Sequence, residues 1–118
     1  MDEILLNQQC VPCHIGAEPL TPDQITELKP QLDPEWSVEN NQKLSRDFTC
    51  ANFSQAVRLI NAIAQAAESQ GHHPDVSLHD FKNLKVEWWT HKIHGLHQND
   101  FIMAAKTDTL FNALEKAV

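Results

Sequence analysis

The most regular pattern of apolar and polar positions runs over residues 53–69. Polar residues recur there every three or four positions and leave a narrow polar stripe on an otherwise apolar surface. Asn52 is placed to cap the first turn, and Gly71 is placed to end the helix in a left-handed conformation. The pattern predicts a core helix that directs the chain into the residues after Gly71.

Two further helices are predicted towards the ends of the chain. Residues 21–24, Thr-Pro-Asp-Gln, have the form of a capping box with proline in the first turn, and Pro30 and Pro34 limit the helix that follows. A last helix is predicted over residues 98–116. His97 takes its capping position, which histidine fills less well than serine or threonine.

Strand patterns lie between the helices. Residues 36–38 and 43–49 predict a hairpin turned at Asn40-Asn41, whose second strand places Leu44, Arg46 and Phe48 on one face. This alternation predicts a hairpin with one packed side.

A second hairpin is predicted from residues 76–78 and 84–91, turned at Lys82-Asn83. In the later strand Trp89 and His91 share one face, and Trp88 and Thr90 take the other. The order helix, two strands, helix, two strands, helix indicates an α+β fold, with helices covering one face of an antiparallel sheet.

Length and charge narrow the possible functions. At 118 residues the chain fits a single domain, residues 1–118, with residues 1–20 as an N-terminal arm. A net charge of −7 argues against binding nucleic acid, which needs clustered lysine and arginine. The first ten residues lack the basic and apolar regions of a signal peptide, and no segment is apolar enough to span a membrane. We therefore expect a soluble cytoplasmic protein with reduced thiols.

Residues 10–14, Cys-Val-Pro-Cys-His, match the pattern that attaches c-type haem. Haem attachment needs an exported protein, and no segment with methionine stands out as an axial ligand. A structural zinc site would need a second pair of ligands, whereas Cys50 is alone. The favoured interpretation is a mobile arm with two thiols.

Six of the seven histidines lie within residues 68–100. Because the pKa of an unperturbed histidine is about 6.5, such a cluster favours proton transfer or metal binding. Pro74 pushes His73 towards an extended backbone, where neighbouring side chains point to opposite sides. His72 and His73 would therefore not readily bind one metal ion together.

Three motifs together resemble the pterin-4a-carbinolamine dehydratases, in particular their bacterial branch. They are residues 71–75, Gly-His-His-Pro-Asp, residues 86–92, Val-Glu-Trp-Trp-Thr-His-Lys, and residues 99–101, Asn-Asp-Phe. Glu68, four residues before the histidine pair, also fits the family pattern. Similar residues near Cys10, at Trp36 and at Asn52-Phe53 extend the resemblance over nearly the whole chain. His94 and His97 stand where the family commonly has small residues and threonine or serine.

The resemblance implies an enzyme that removes water from 4a-hydroxytetrahydropterin and so recycles the pterin of an aromatic amino acid hydroxylase. It implies a four-stranded antiparallel sheet with three helices on one face, no metal or cofactor, and a homodimer, with a tetramer possible. The implied catalytic residues are His72, His73 and His91, and the implied substrate-binding residues are Gly71, His72, His73, Pro74, Trp89, Thr90, His91 and Lys92. A non-catalytic dimerisation, assembly or transcription-cofactor module on the same fold is the alternative.

Dehydration of a carbinolamine needs a proton delivered to the leaving hydroxyl and a proton removed from the adjacent ring nitrogen. We expect His72 and His91 to form this acid–base pair, because two different elements can present rings to different edges of one flat substrate. His73 is expected mainly to position the pterin.

Other residues of the motifs have simpler interpretations. Glu68 is either solvated or positions a nearby histidine. Asp100 is first a residue favoured at a helix start by the helix dipole, and any catalytic role for it is secondary. Trp89 could flank a flat heterocycle, whereas the other tryptophan of the pair belongs to the core. His79, His94 and His97 are expected to be solvated polar residues of strand ends or loops.

Overall fold

The computed structural model describes residues 4–12 and 17–116. Within them lie the helices α1 (Pro22–Leu28), α2 (Phe53–Gln70) and α3 (Gln98–Lys116), and the strands β1 (Ser37–Glu39), β2 (Lys43–Thr49), β3 (Asp75–His79) and β4 (Asn83–Trp88). Single 3-10 turns occur at Leu5–Asn7, Lys29–Gln31 and His91–Ile93. The predicted order of helices and hairpins is confirmed, and β1 starts one residue later than predicted.

The four strands form one antiparallel sheet in the order β1-β2-β4-β3. The central pair is β2 and β4, with Arg46 opposite Val86. The sheet contributes Leu44, Phe48, Leu84, Val86 and Trp88 to a buried core that also holds Leu59 and Ile63 of α2 and Phe101 and Met103 of α3. The α+β fold with helices on one face of the sheet is therefore confirmed.

The two hairpin turns share an unusual backbone conformation. Asn40 and Asn41 have φ angles of 52° and 56°, and Asp80 and Phe81 have φ angles of 47° and 56°. Two successive left-handed residues match the twist of the flanking strands, and asparagine or aspartate accepts this conformation readily. The first turn lies where it was predicted. The predicted second turn at Lys82-Asn83 is wrong, because the left-handed pair is Asp80-Phe81 and includes a phenylalanine, which gives no sequence signal for it.

Local capping explains where α1 and α2 begin and where α2 ends. The Thr21 hydroxyl accepts from the Gln24 N–H at 3.2 Å, and the Gln24 side chain accepts from the Thr21 N–H at 2.8 Å. Asn52 accepts from the first turn of α2, and Gly71 leaves that helix with φ of 67°. These caps are the predicted ones, and the left-handed Gly71 turns the chain towards His72.

The strand predicted to reach residue 91 instead stops at Trp88. Beyond it, Thr90 pairs with Gly95 in an isolated bridge, and the left-handed His94 closes the turn that His91 begins. A Cβ atom at Gly95 would lie 2.8 Å from the Cβ of Pro19, so this close approach requires glycine. His91 thus begins a tight loop, because its backbone partners are inside that loop and not on a neighbouring strand.

The N-terminal arm was predicted to be mobile, whereas residues 4–12 pack on the body of the protein. Leu5 is buried in the core, and its N–H donates to the Gln31 side chain at 3.0 Å. The Lys106 ammonium donates to the Leu6 carbonyl at 2.9 Å. Cys13 and His14 of the haem-like motif lie outside the described residues.

No helix within the described parts of the chain combines the length and apolar character needed to cross a bilayer. The cytoplasmic location stays a prediction of the sequence.

A buried ion pair joins β2 to α3. The Arg46 guanidinium lies 2.6 Å from the Asp108 carboxylate, which also accepts from the Trp36 indole at 2.8 Å. The same guanidinium lies over the rings of Phe48 and Phe111. Burial raises the pKa of Asp108, whereas the Trp36 hydrogen bond and the Arg46 charge oppose the rise. The carboxylate therefore depends on these partners to remain charged inside the protein.

We expect Asp108→Asn to lower the free energy of unfolding by about 1–3 kcal/mol, because Arg46 loses its charged hydrogen-bond partner in a buried setting. Urea unfolding would measure the change. Asp47→Asn is the matched control, since Asp47 is exposed on the same strand as Arg46. It should stay within about 0.5 kcal/mol of the parent protein. Equal losses in the two variants would show that the ion pair contributes nothing.

Candidate active site

His72 is held in a fixed orientation by a buried carboxylate. Its Nε2 atom lies 2.6 Å from Oδ1 of Asp100, and the two side chains are 11% and 0% exposed. The imidazole also stacks on the indole of Trp88, with ring centroids 5.8 Å apart and planes 12° from parallel. Gly71 and the start of α3 bring the two partners together from positions 28 residues apart.

Asp100 organises this part of the site. Its second oxygen accepts from the Thr90 hydroxyl at 2.8 Å and from the His97 N–H at 2.9 Å. Because a carboxylate accepts hydrogen bonds and does not donate them, the hydrogen of His72 lies on Nε2. Nδ1 is then the ring nitrogen of His72 that is left for chemistry.

The start of α3 also shows how His97 fills its position. Its Nδ1 atom accepts from the Asn99 N–H at 3.0 Å, while Asp100 accepts from the His97 N–H. His97 thus caps the first turn through the Asn99 N–H, while Asp100 bonds back to the His97 backbone as the third residue of a capping box does. Asp100 is a helix-start residue, as predicted, but it also holds His72 and Thr90.

A second histidine lies across the site on the loop after β4. The His91 ring lies on the indole of Trp89, with centroids 3.8 Å apart. Asp75, at the start of β3, accepts from the Trp89 indole N–H at 2.9 Å and lies 3.8 Å from Nε2 of His91. Asp75 was not among the predicted site residues, although it ends the motif of residues 71–75. Its place directly after Pro74, on a strand pairing with β4, is the signal that could have found it.

His73 turns away from the buried pair. Its Nε2 atom lies 3.2 Å from Glu68, and both side chains are largely exposed. Glu68 therefore contacts a histidine, which is one of its two predicted interpretations. Its side chain is also exposed to solvent. Among residues 4–12 and 17–116, no group of three or more histidine, cysteine or acidic side chains is arranged to hold a metal ion. The metal-free reaction stays a prediction.

His72, His73 and His91 all line one open cleft of about 220 Å³. It is lined by Val11, Gly71, His72, His73, Trp89, Thr90, His91, Lys92 and Asn99. Most of the predicted substrate-binding residues are therefore brought together. Pro74 and Glu68 do not line the cleft, and Asp100 lies behind His72. Val11 and Asn99 were not predicted.

A larger cleft of about 550 Å³ lies between the N-terminal arm and α1. Five glutamines contribute to its walls, and none of the histidines does. Glutamine side chains do not titrate, and Glu27 is the one titratable side chain among the described lining residues, so this cleft lacks the acid–base pair that proton transfer needs. The smaller cleft is therefore the better candidate for an active site.

Cys10 lies beside the cleft but is not poised as a nucleophile. Burial raises the pKa of its thiol to about 11, with the charge of Lys106 opposing the rise and that of Asp100 adding to it. Its Sγ atom lies 3.9 Å from the Asn99 carbonyl oxygen. The thiol is therefore a protonated donor near neutral pH.

Comparison with known proteins places this geometry in a family. The family model described as pterin 4 alpha carbinolamine dehydratase matches residues 18–110. The protein named "Putative pterin-4-alpha-carbinolamine dehydratase" from Microcystis aeruginosa is 42% identical over 91% of this chain and 93% of its own length. A protein of the same name from Alkaliphilus metalliredigens is 43% identical over 88% of this chain and 93% of its own length.

Two solved structures have the same fold. A transcriptional coactivator/pterin dehydratase from Brucella melitensis superposes with a TM-score of 0.72 at 28% identity, covering 79% of this chain and 98% of its own. A pterin dehydratase-like protein identified as a RuBisCO assembly factor in the alpha-carboxysome gives a TM-score of 0.55 at 18% identity, covering 64% of this chain and 88% of its own. The second likeness concerns the fold alone. The family match and the two sequence relatives confirm the resemblance seen in the motifs, and the chain belongs to the pterin-4-alpha-carbinolamine dehydratase family.

Proposed function

We propose that this protein removes water from a 4a-hydroxytetrahydropterin and so yields the quinonoid dihydropterin. The observation that carries the proposal is the convergence of His72, His73 and His91 on one cleft, with His72 fixed by the buried Asp100. The reaction would recycle the pterin cofactor of an aromatic amino acid hydroxylase.

The reaction needs an acid and a base on one substrate. The bond from C4a to the hydroxyl oxygen breaks, that oxygen takes up a proton, and the adjacent ring nitrogen loses its proton as the C4a–N double bond forms. The products are water and the quinonoid dihydropterin. The nitrogen lone pair assists departure of the hydroxyl, so the proposed mechanism uses no metal or cofactor. His72 and His91 are the proposed acid–base pair, since they come from different elements and face the same cleft.

The His72–Asp100 and His73–Glu68 contacts differ in burial, and this difference supports separate roles for His72 and His73. His72 and Asp100 are removed from water, where a short charge-assisted bond fixes the ring. His73 and Glu68 are 59% and 78% exposed, and such exposed pairs contribute about 0–1 kcal/mol. His73 can therefore adjust to the ligand, which suits a residue that positions the pterin.

A binding or assembly role is the competing proposal, because relatives with this fold carry names of that kind. One is a transcriptional coactivator as well as a pterin dehydratase, and another is a RuBisCO assembly factor. Fold alone does not determine function. The arranged histidines favour the enzyme, since an assembly surface would not need them at one cleft.

A stopped-flow assay tests the enzyme directly. A hydroxylase would generate the carbinolamine, and its decay would be followed with and without the purified protein. We expect saturable acceleration by the parent protein and by His79→Ala, because His79 is exposed on β3 and does not line the cleft. A decay rate that does not rise above that of buffer would refute the dehydratase and favour the assembly role.

We also propose a homodimer. In the sheet formed by the described residues β3 is an edge strand, and Val76 on it is 41% exposed. An exposed strand edge is commonly covered by pairing, and twofold dimers are the commonest solution. Light scattering at micromolar concentration should give about twice the 13.4 kDa mass of the chain. A mass of one chain at that concentration would contradict the dimer.

A further inference from the structure

Val11 lines the same cleft as His72 and His91, although it belongs to the N-terminal arm. Val11 is 56% exposed. The other lining residues are mainly polar, so Val11 and Trp89 supply apolar surface at this site. A flat heterocycle that enters the cleft needs such surface, because its ring faces gain little from polar side chains.

The backbone of Val11 is fastened to the start of α3. Its N–H donates to the Asn99 side chain at 3.0 Å, and its carbonyl accepts from the same amide at 2.7 Å. Asn99 is 2% exposed and directly precedes Asp100. This reciprocal pair resembles the bonding between two strands, and it fixes both the position and the direction of the Val11 backbone.

A second contact ties the arm to the other half of the site. The Cys10 N–H donates to the Gln70 side chain at 2.8 Å, and Gln70 directly precedes Gly71 and His72. The arm is therefore attached next to both members of the His72–Asp100 pair. Burial of Leu5 in the core anchors its far end.

We propose that Val11 contacts the bound pterin and contributes to substrate specificity, and that Asn99 is the positioning residue that holds it there. The Val11 side chain, which is exposed in the open cleft, becomes buried against the heterocycle when the substrate binds. This inference rests on the proposed function. Val11 then forms one wall of the histidine site. It lies outside residues 18–110, the part of the chain that the family model matches.

The first test is Val11→Ala. The variant removes two methyl groups from the contact and leaves the backbone bonds to Asn99 in place. We expect KM to rise about 3–10-fold, as for partial loss of buried apolar area, with kcat within about twofold of the parent value. Calorimetry with 7,8-dihydrobiopterin, a stable pterin that cannot be dehydrated, should show the same fold-change in Kd.

The matched control is Ile4→Ala. Ile4 lies on the same arm, is 57% exposed and does not line the cleft. We expect its KM and Kd to equal those of the parent protein. An Ile4→Ala effect as large as that of Val11→Ala would show that truncating the arm acts by loosening the fold, and would overturn the contact.

Asn99→Asp tests the positioning role. The substitution keeps the size of the side chain but turns an oxygen, in place of the amide donor, towards the Val11 carbonyl. We expect KM and Kd to rise at least as much as in Val11→Ala. In the double variant the two effects should not add, because Asn99 acts through Val11. Additive effects would assign Asn99 a separate role and overturn the coupling.

The outcomes separate this inference from the proposed function. If the parent protein neither accelerates dehydration nor binds dihydrobiopterin, both fail together. If the parent protein does both and Val11→Ala has unchanged KM and Kd, the dehydratase stands and the Val11 contact is refuted. Should Asn99→Asp not fold, Val11→Ala against Ile4→Ala still decides.

Discussion

Replacing His72 or His91 by alanine is expected to lower kcat by roughly 10²–10⁴-fold, the usual range for the loss of a general acid or base. The two rings face one cleft from different elements, so neither can take over the proton transfer of the other. The loss of kcat is expected to be smaller where water can replace the missing ring. The His91 side chain is 58% exposed and the His72 side chain is 11% exposed, so His91→Ala should lose less than His72→Ala. Single-turnover stopped-flow kinetics would measure both variants.

A variant of the third histidine, His73, distinguishes a substrate-binding role from a catalytic one. His73→Ala should raise KM with little change in kcat, because a residue that only positions the substrate contributes to binding in the ground and transition states alike. The parent protein should show a bell-shaped dependence of kcat on pH, as expected for one acid and one base. Near-normal kcat in folded His72→Ala and His91→Ala would refute the pair. A collapse of kcat confined to His73→Ala would reverse the roles.

Local sequence signals were enough to place the scaffold of the site. The Asn52 cap and the left-handed Gly71 depend on residues within one turn of α2, so the helix and its exit towards His72 could be predicted. The turn at Asp80-Phe81 could not, because nothing in a phenylalanine favours a left-handed backbone. Its conformation follows from the register of β3 against β4.

The residues that hold the site side chains in place come from distant parts of the chain. Asp100 reads as an ordinary helix-start residue, and its other partners, His72 and Thr90, lie 28 and 10 residues away. The bonds between Asn99 and Val11 span 88 residues. Periodicity and capping rules describe neighbours within a few positions, so they do not reveal contacts between residues this far apart in the chain. Fold and family were predictable, and Glu68 was already a candidate partner of a histidine, whereas the contacts of Asp100 with His72 and of Asn99 with Val11 needed the structure.

Asp100→Asn is expected to lower kcat by roughly 10²–10⁴-fold with a much smaller change in KM, by the logic of a carboxylate that fixes the tautomer of a catalytic histidine. The amide has one acceptor and one donor group in place of two acceptors. If its oxygen keeps the hydrogen bonds from Thr90 and the His97 N–H, its NH₂ group faces Nε2 of His72. That nitrogen must then accept, so the hydrogen of the neutral ring moves to Nδ1, the nitrogen needed for proton transfer.

The matched control for this tautomer change is Asp75→Asn, which makes the same substitution beside His91. Asp75 is 51% exposed and lies 3.8 Å from the ring, so water can replace it and kcat should fall far less. Nitrogen-15 NMR of the imidazoles adds a readout that a purely structural role of Asp100 would not move. We expect neutral His72 to carry its hydrogen on Nε2 in the parent protein and on Nδ1 in Asp100→Asn. A folded Asp100→Asn variant with unchanged tautomer and near-normal kcat would show that Asp100 serves the helix start alone.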